Sequence, residues 1–298
     1  MSRVEFAPAK LNLSLHVVGK RIDGWHLLDS LVAFADIGDT VEVAENELLT
    51  LAIDGPFAAD LVEAPDNLVL RAARALADAM GIADGAKIRL TKNLPVASGI
   101  GGGSADAAAT IRALGRLWGG LPEPDRLAEL AYGLGADTIV CLDPRAAWMS
   151  GTGEIVEPAG DLPEAGLLLV NPGVAVPTPQ VFRARSGPFS KPARFALADT
   201  AAGLAASLTG ASNDLAAPAR QLAPAIGDVL AALETLPGVL LARMSGSGAT
   251  CFALFASRAA AKAAESALRT RNPPGWWIAA GGWHKAAAAG VVGPSGGC

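Results

Sequence analysis

The segment LPVASGIGGGSADAA, Leu94 to Ala108, constrains this chain more than any other. Four of the five residues from Gly99 to Gly103 are glycine, and an alanine-rich run follows from Ser104 to about Trp118. The run reads as a helix. Glycine takes positive φ without steric cost and lets a ligand approach backbone N–H groups closely. A helix N-terminus adds unpaired N–H donors and a partial positive charge. The combination is a cradle for phosphate. Ser104 and Asp106 fall in the first helical turn, where a hydroxyl can cap the helix or face a phosphate-bound cation. Better-known loops fit badly. The G-x-x-x-x-G-K-[ST] loop needs a lysine that is absent here, and Gly101 is followed three residues later by Ser104, which breaks the dinucleotide G-x-G-x-x-G spacing. The H-R-D and D-F-G triplets of protein kinases are missing. A second glycine loop, MSGSGAT from Met244 to Thr250, lies between two strand-like runs. Alone it reads as a Gly-Ser hairpin. Beside a phosphate cradle it reads as a second wall of one site.

The rest of the chain sets that loop in an α/β frame. Its 298 residues suggest two domains at about 150 residues each. With 51% hydrophobic and 18% charged residues, intrinsic disorder is excluded. The net charge of −5 and the absence of a basic stripe argue against a nucleic-acid partner. Leu11, Leu13, Leu15 and Val17 alternate with Asn12, Ser14 and His16, a strand with one buried face that turns Lys10 and Asn12 to the other. Strand-like runs follow at Leu27 to Phe34, Thr40 to Val43 and Leu48 to Ile53. Asp66 opens a helical pattern that ends near Gly81, and Pro124 suits the first turn of another. The Gly135-Ala136-Asp137 stretch reads as a turn after that helix, and Ala147 to Ile155 as a hairpin. The Pro/Gly-rich stretch Pro158 to Pro163 marks a boundary, giving domains 1–160 and 161–298. Strands and helices interleave in both halves, so the fold class is α+β, two α/β sandwiches. The residues from Ala286 to Cys298 read as a frayed tail.

Ala165 to Phe182, the longest uncharged stretch, contains three prolines, Asn171 and Gln180 and suits a loop better than a membrane span. The start, MSRVEFAPAK, lacks a signal-peptide core. A cytoplasmic protein without membrane partners is expected. Three cysteines without a C-x-x-C pair and three scattered histidines give no disulfide framework and no metal-ligand spacing, so no metal ligand is assigned.

Three segments together resemble the GHMP kinase superfamily, which transfers phosphoryl groups from ATP to small-molecule alcohols: Ala7 to Leu13 (APAKLNL), Pro95 to Ala108, and Met244 to Ala249. Within it, the chain is most similar to the kinases of 4-diphosphocytidyl-2-C-methyl-D-erythritol in non-mevalonate isoprenoid biosynthesis. That similarity is carried by Arg21 to His26 (RIDGWH), Leu134 to Asp137 (LGAD), Asn171 to Val174 with Pro177-Thr178-Pro179, and Asn213 to Leu215. It runs from about Glu5 to Phe255. It implies an N-terminal domain of the ribosomal-protein-S5-like fold, a ferredoxin-like C-terminal domain, and a site in the cleft between them. It also implies ATP and Mg2+ as cofactors; the sequence itself does not set the oligomeric state, and a monomer or weak homodimer is the working expectation.

The resemblance assigns roles residue by residue. Asp137 matches the catalytic aspartate that accepts the proton of the attacking 2-hydroxyl. Lys10 matches the active-site lysine, which offsets charge on the transferred phosphoryl group. Pro95, Val96, Ala97, Ser98, Gly99, Ile100, Gly101, Gly102, Gly103, Ser104 and Ala105 match the ATP-phosphate loop, and Asn67 and Lys92 match positions near the adenine. Asn12, Trp25, His26, Thr178 and Phe182 match the substrate pocket, where Trp25 and Phe182 would sandwich the cytosine and His26 would hydrogen-bond its edge. Two departures stand out: Trp25 replaces the family's usual tyrosine, and Thr138-Ile139 replaces the usual Val-Pro after the aspartate. The alternatives are a homoserine- or mevalonate-type kinase, for which a base clamp is superfluous, and a non-catalytic nucleotide-binding module, which would have no use for the lysine–aspartate pair.

Overall fold

The computed structural model describes residues 2–61, 67–271 and 275–285. Strands β1 (Arg3–Asn12), β2 (His16–Lys20), β3 (His26–Asn46), β4 (Thr50–Asp54), β5 (Gly85–Thr91), β6 (Ala147–Gly151) and β7 (Ile155–Pro158) form one sheet in the order β4-β5-β3-β6-β7, with β1 and β2 also paired to β3. All these pairings are antiparallel except β4 with β5. The spine is β3, a single 21-residue strand where the sequence suggested two short ones. The polar break at Asp36 to Asp39 does not interrupt it. Gly38 instead lets β1 pass at close range: a Cβ there would lie 2.3 Å from the Ala7 carbonyl oxygen.

Helices α1 (Leu68–Met80), α2 (Gly102–Trp118), α3 (Pro124–Leu134) and α4 (Ala136–Leu142) belong to the same half. The small side chains of Ala105, Ala107, Ala108, Ala109 and Ala113 let α2 pack closely between α1 and the sheet, in a core completed by Val41, Ile88, Leu90 and Leu76. The cap of α1 is Asn67, whose Oδ1 accepts the Val69 N–H at 2.9 Å, and Gly81 closes it with φ of 67°. The start expected at Asp66 lies outside the described residues. Gly135 begins α4, so Asp137 occupies a helical first turn where the sequence suggested only a turn.

The second sheet runs β11-β8-β10-β9, all antiparallel: β8 (Gly166–Asn171), β9 (Val239–Met244), β10 (Cys251–Phe255) and β11 (Trp277–Gly281). Helices α5 (Thr178–Ala184), α6 (Ala201–Thr209), α7 (Ala216–Leu222), α8 (Ala225–Glu234) and α9 (Arg258–Thr270) accompany it. Residues 165–182, better suited to a loop than to a membrane span, hold β8, where Leu167 to Val170 read as a short buried strand, and most of α5. Its prolines fit because Pro177 caps α5 and Pro179 lies in its first turn, where a missing N–H costs nothing.

Every residue of β8 and β10 is buried. One face packs on Ile226, Val229, Ala264 and Leu268. On the other, Leu167, Leu169, Phe252 and Leu254 share a core with Ala9, Leu11, Leu13 and Leu31 of the first sheet. The two halves are therefore joined by a common apolar layer. This also corrects the reading of residues 11–18 as one strand with one wet face. The chain leaves β1 after Asn12, where the N–H groups of Leu13 and Ser14 both point to the Leu31 carbonyl, and re-enters pairing at His16. Asn12, Ser14 and His16 are as buried as their apolar neighbours. No helix among the described residues is long and apolar enough to cross a membrane. The tail from residue 286 lies outside the described residues.

Candidate active site

The two halves enclose a cavity of about 1240 Å3, lined by both glycine loops, the β2–β3 hairpin, the start of α4 and helix α5. Near its middle is an ion pair. Lys10 Nζ donates to Asp137 Oδ1 at 2.6 Å. Lys10 is 3% exposed, whereas the Asp137 side chain keeps 38% of its surface open. The pair joins residues 127 apart in sequence. Lys10 is held from both sides, its N–H donating to the Ile100 carbonyl at 2.9 Å and its aliphatic stem packing under Gly101. Gly101 has φ of 61°, and a Cβ there would lie 3.1 Å from Lys10 Cβ.

Gly101 is also the N-cap of α2 and provides no side-chain cap. The leading N–H groups of α2 are therefore left for a ligand. Residues 95–99 and 101–104 all line the cavity. Two of the expected loop residues do not. Ile100 is fully buried in the core shared by the two sheets. Ala105 is buried against α1, and its N–H is already committed to the Gly101 carbonyl at 2.8 Å. Their apolar side chains anchor the loop from beneath.

A second charged cluster lies under the loop. Lys92 Nζ bonds Asp39 Oδ2 at 2.5 Å and Asp106 Oδ2 at 2.6 Å, with all three residues buried. The other oxygen of Asp39 accepts the N–H groups of Asn93 and Leu94 at 2.6 and 2.8 Å. The cluster thus ties the entry of the loop to Asp106 in the second turn of α2, one turn later than the sequence suggested, because the helix already starts at Gly102. It carries two carboxylates for one ammonium. Burial, with Lys92 opposing and Asp39 adding, pushes the Asp106 carboxyl up to about 8. For Lys92 burial disfavours the charge, but the two carboxylates outweigh it and the ammonium is held above its ordinary range. Asn67 lines the same end of the cavity, although its Oδ1 is engaged in capping α1. Nothing in the sequence pairs Asp39 with Lys92, 53 residues away.

The second glycine loop meets the first backbone to backbone. Thr250 N–H donates to the Ser98 carbonyl and Ser245 Oγ to the Gly99 carbonyl, both at 3.0 Å. Asn213 holds this loop by donating to the carbonyls of Met244 and Gly246, each at 2.9 Å. Asn12 reaches both halves. Its N–H donates to Ser245 Oγ at 3.1 Å, its Nδ2 donates to Ser30 Oγ at 2.8 Å, and its buried Oδ1 has no partner among the described residues. That unpaired acceptor belongs to a cavity-lining side chain.

At the far end, His26 stacks on Phe182 with ring centroids 4.9 Å apart and planes 24° from parallel. Thr178 Oγ1 and Ser247 Oγ share a hydrogen bond of 2.7 Å nearby. Burial, then the charges of Lys20 and Arg185, hold the His26 imidazole below its ordinary pKa. It is therefore neutral at pH 7, with one ring nitrogen to donate and one to accept. Trp25 lines the cavity but is 61% exposed at its rim. The ring against Phe182 is that of His26. Among the described residues no three His, Cys, Asp or Glu side chains group as a metal site.

Comparison with known proteins matches residues 67–150 to the GHMP kinases N terminal domain and residues 196–274 to the GHMP kinases C terminal family. A curated relative from Cereibacter sphaeroides, named 4-diphosphocytidyl-2-C-methyl-D-erythritol kinase, is 57% identical over 276 residues, covering 92% of this chain and 96% of its own. One of the same name from Paramagnetospirillum magneticum is 54% identical over 274 residues, covering 92% and 95%. The crystal structure of a 4-(cytidine 5'-diphospho)-2C-methyl-D-erythritol kinase superposes with a TM-score of 0.76 at 34% identity, covering 96% of this chain and all of that one.

Proposed function

Because the chain belongs to the 4-diphosphocytidyl-2-C-methyl-D-erythritol kinase family of the GHMP kinases, we propose that its cavity transfers the γ-phosphoryl group of ATP to the 2-hydroxyl of that cytidine diphosphate ester. The reaction belongs to isoprenoid precursor biosynthesis. The observation that carries this reading is the Lys10–Asp137 pair at 2.6 Å, between a phosphate cradle and a ring clamp that line one cavity.

The geometry and the family resemblance together support the following roles. The open N–H groups at the start of α2, with the backbone of residues 95–104, bind the ATP phosphates. Asn67 and Lys92 form the adenine end of the nucleotide pocket, where Lys92 acts through the loop it braces. Asp137, half-open to the cavity, takes the proton as the substrate oxygen bonds to the γ-phosphorus and the bond from phosphorus to the bridging oxygen of ADP breaks. Lys10 Nζ beside it offsets charge on the transferred oxygens. Asn12 Oδ1 accepts from a substrate hydroxyl, and Thr178 shapes the wall next to it. His26 reads the pyrimidine edge, Phe182 backs it, and Trp25 at the rim closes over the base.

Magnesium enters with ATP, as the phosphate complex. This fits the chain's donor set: the Asp137 carboxylate is engaged by Lys10 and the Asp106 carboxyl is buried against Lys92, and Mg2+ commonly keeps water and phosphate oxygens as most of its ligands. All these residues come from one chain and both substrates are soluble anions. The reading therefore extends to a cytoplasmic enzyme complete as a monomer or in a weak homodimer, with domains 1–160 and 161–298 each supplying one wall.

The test is ADP release from MgATP by the purified protein with 4-diphosphocytidyl-methylerythritol, homoserine or mevalonate. Turnover with the cytidine compound alone is expected. Turnover with either other alcohol instead would keep the phosphoryl transfer and overturn the pocket assignment.

A further inference from the structure

Three cations on the cavity wall have no place in the roles above: Lys20, Arg183 and Arg185. None joins an ion pair among the described residues, whereas Lys10 and Lys92 are both matched by carboxylates. The nearby Asp23 is engaged by Arg21 at 2.8 Å. In a chain of net charge −5, unpaired positive charge gathered at one end of one cavity implies an anionic ligand there.

Two of the three are fixed beside the ring clamp. Lys20 is the direct cross-strand partner of His26 in the β2–β3 hairpin, so the two side chains share one side of the ladder. Arg185 caps the C-terminal end of α5, one turn beyond Phe182. Both charges are felt at the His26 ring. The Arg185 guanidinium lies over Phe189, 5.1 Å from the ring centroid. It donates to the Gly187 and Pro188 carbonyls at 3.4 and 2.5 Å. Those bonds hold it in place but use only two of its five N–H groups. Its Nε is buried and has no partner among the described residues. One N–H on each terminal nitrogen is left uncommitted among the described residues. The planar fork matches phosphate oxygens.

We propose that Arg185, with Lys20 beside His26, recognises the diphosphate of the substrate and so makes the pocket select pyrimidine nucleoside diphosphate esters over the bare nucleoside. This deepens the cytidine-substrate reading and rests on it. The two cations touch the substrate on the cytidine side, away from the Lys10–Asp137 pair. They set affinity and choice of substrate.

The test compares cytidine and CDP as ligands of the full-length protein by calorimetry, alongside steady-state turnover of the cytidine substrate by the wild type. Wild type is expected to bind CDP at least tenfold more tightly than cytidine. In Arg185→Gln the preference for CDP falls about tenfold while cytidine affinity stays within about twofold, as loss of a charge-assisted hydrogen bond implies. Arg185→Lys restores part of the preference, and Lys20→Gln lowers it by a smaller factor. A loss of cytidine and CDP affinity in equal measure would show that Arg185 only supports the clamp, and would overturn the proposal. So would an unchanged preference in both neutral variants. A wild type that turns over the cytidine substrate while Arg185→Gln keeps its CDP preference defeats this inference alone; a wild type that neither binds CDP nor turns over that substrate defeats the cytidine reading as well.

Discussion

Gly99 is where the two halves approach most closely through glycine loops, and its replacement by alanine is a quantitative test of the cleft. Gly99 has φ of 77°, and a Cβ there would lie 2.5 Å from the Gly248 oxygen, 2.7 Å from the Gly248 nitrogen and 2.8 Å from the Ser245 oxygen. All three are backbone atoms, so no flexible side chain can yield. Two costs add. A left-handed backbone costs an L-residue about 1–2 kcal/mol. Forcing a methyl into closed packing costs about 1–3 kcal/mol more. Gly81 separates them: it has φ of 67° with nothing within 4 Å of its virtual Cβ, so Gly81→Ala carries only the first cost. Urea unfolding at constant m-value should place Gly99→Ala about 1–3 kcal/mol below Gly81→Ala. Moving the loop also displaces the N–H groups proposed to bind the ATP phosphates. The KM for ATP should rise about tenfold in Gly99→Ala, since tenfold corresponds to about 1.4 kcal/mol of lost binding, and stay unchanged in Gly81→Ala. Equal stabilities and equal KM values for the two variants would refute the reasoning, because the two glycine loops would then not be in backbone contact.

Asp137→Asn should lower turnover by about 10²–10⁴-fold, the usual worth of a positioned general base, while ATP binding measured by calorimetry is retained; full activity would remove the proton-acceptor role. Trp25→Ala should raise the KM for the cytidine substrate about tenfold, within the range of base–aromatic stacking, and leave that for ATP alone, whereas equal increases would speak against stacking at the rim. The raised Asp106 carboxyl gives a stability slope. The folded state holds a proton there up to about pH 8, which the unfolded chain releases near pH 4. This contribution is therefore full at low pH and is lost as pH rises through about 8. Between pH 6 and 8, wild type should lose up to about 1.4 kcal/mol per pH unit relative to Asp106→Asn, read from denaturant midpoints at each pH; parallel curves would refute the buried proton.

What could be read from the sequence was local. Glycines before a helix, a proline in a first turn and a glycine at φ of 67° each announce themselves within a few residues. The glycine loop before α2 and helix α3 were legible for that reason. The lysine–aspartate pair was legible only through the resemblance, since no spacing rule links residues 127 apart. Three things were hidden. The continuity of β3 through Asp36 to Asp39 depends on what crosses it, namely β1 over Gly38 and the buried cluster that takes Asp39. The polar face of residues 12–16 looked wet because the half that covers it lies some 200 residues later: Ser212 donates to His16 Nε2 at 3.0 Å and Asn12 donates to Ser245. The short helix α4 carries too few residues for a period to show.

That last helix bears on the most visible departure from the family pattern, Thr138-Ile139 in place of Val-Pro. A proline fixes φ and removes an N–H, so its loss would matter in a strand or a mid-helix position. Here the position lies in the first turn of α4, where φ is already helical and proline is tolerated because N–H groups lack partners in any case. The first turn is closed instead by Thr138 N–H donating to the Gly135 carbonyl at 2.9 Å. Thr138 itself is fully buried, with a methyl in place of one branch of the valine and a hydroxyl that finds no partner among the described residues. The exchange thus leaves the shape of the helix start intact and places its cost, about 1–3 kcal/mol for an unpaired buried hydroxyl, on stability. Asp137 still meets Lys10 at 2.6 Å. What fixes the aspartate is the turn at Gly135 on one side and the lysine held beneath Gly101 on the other, and neither depends on the proline.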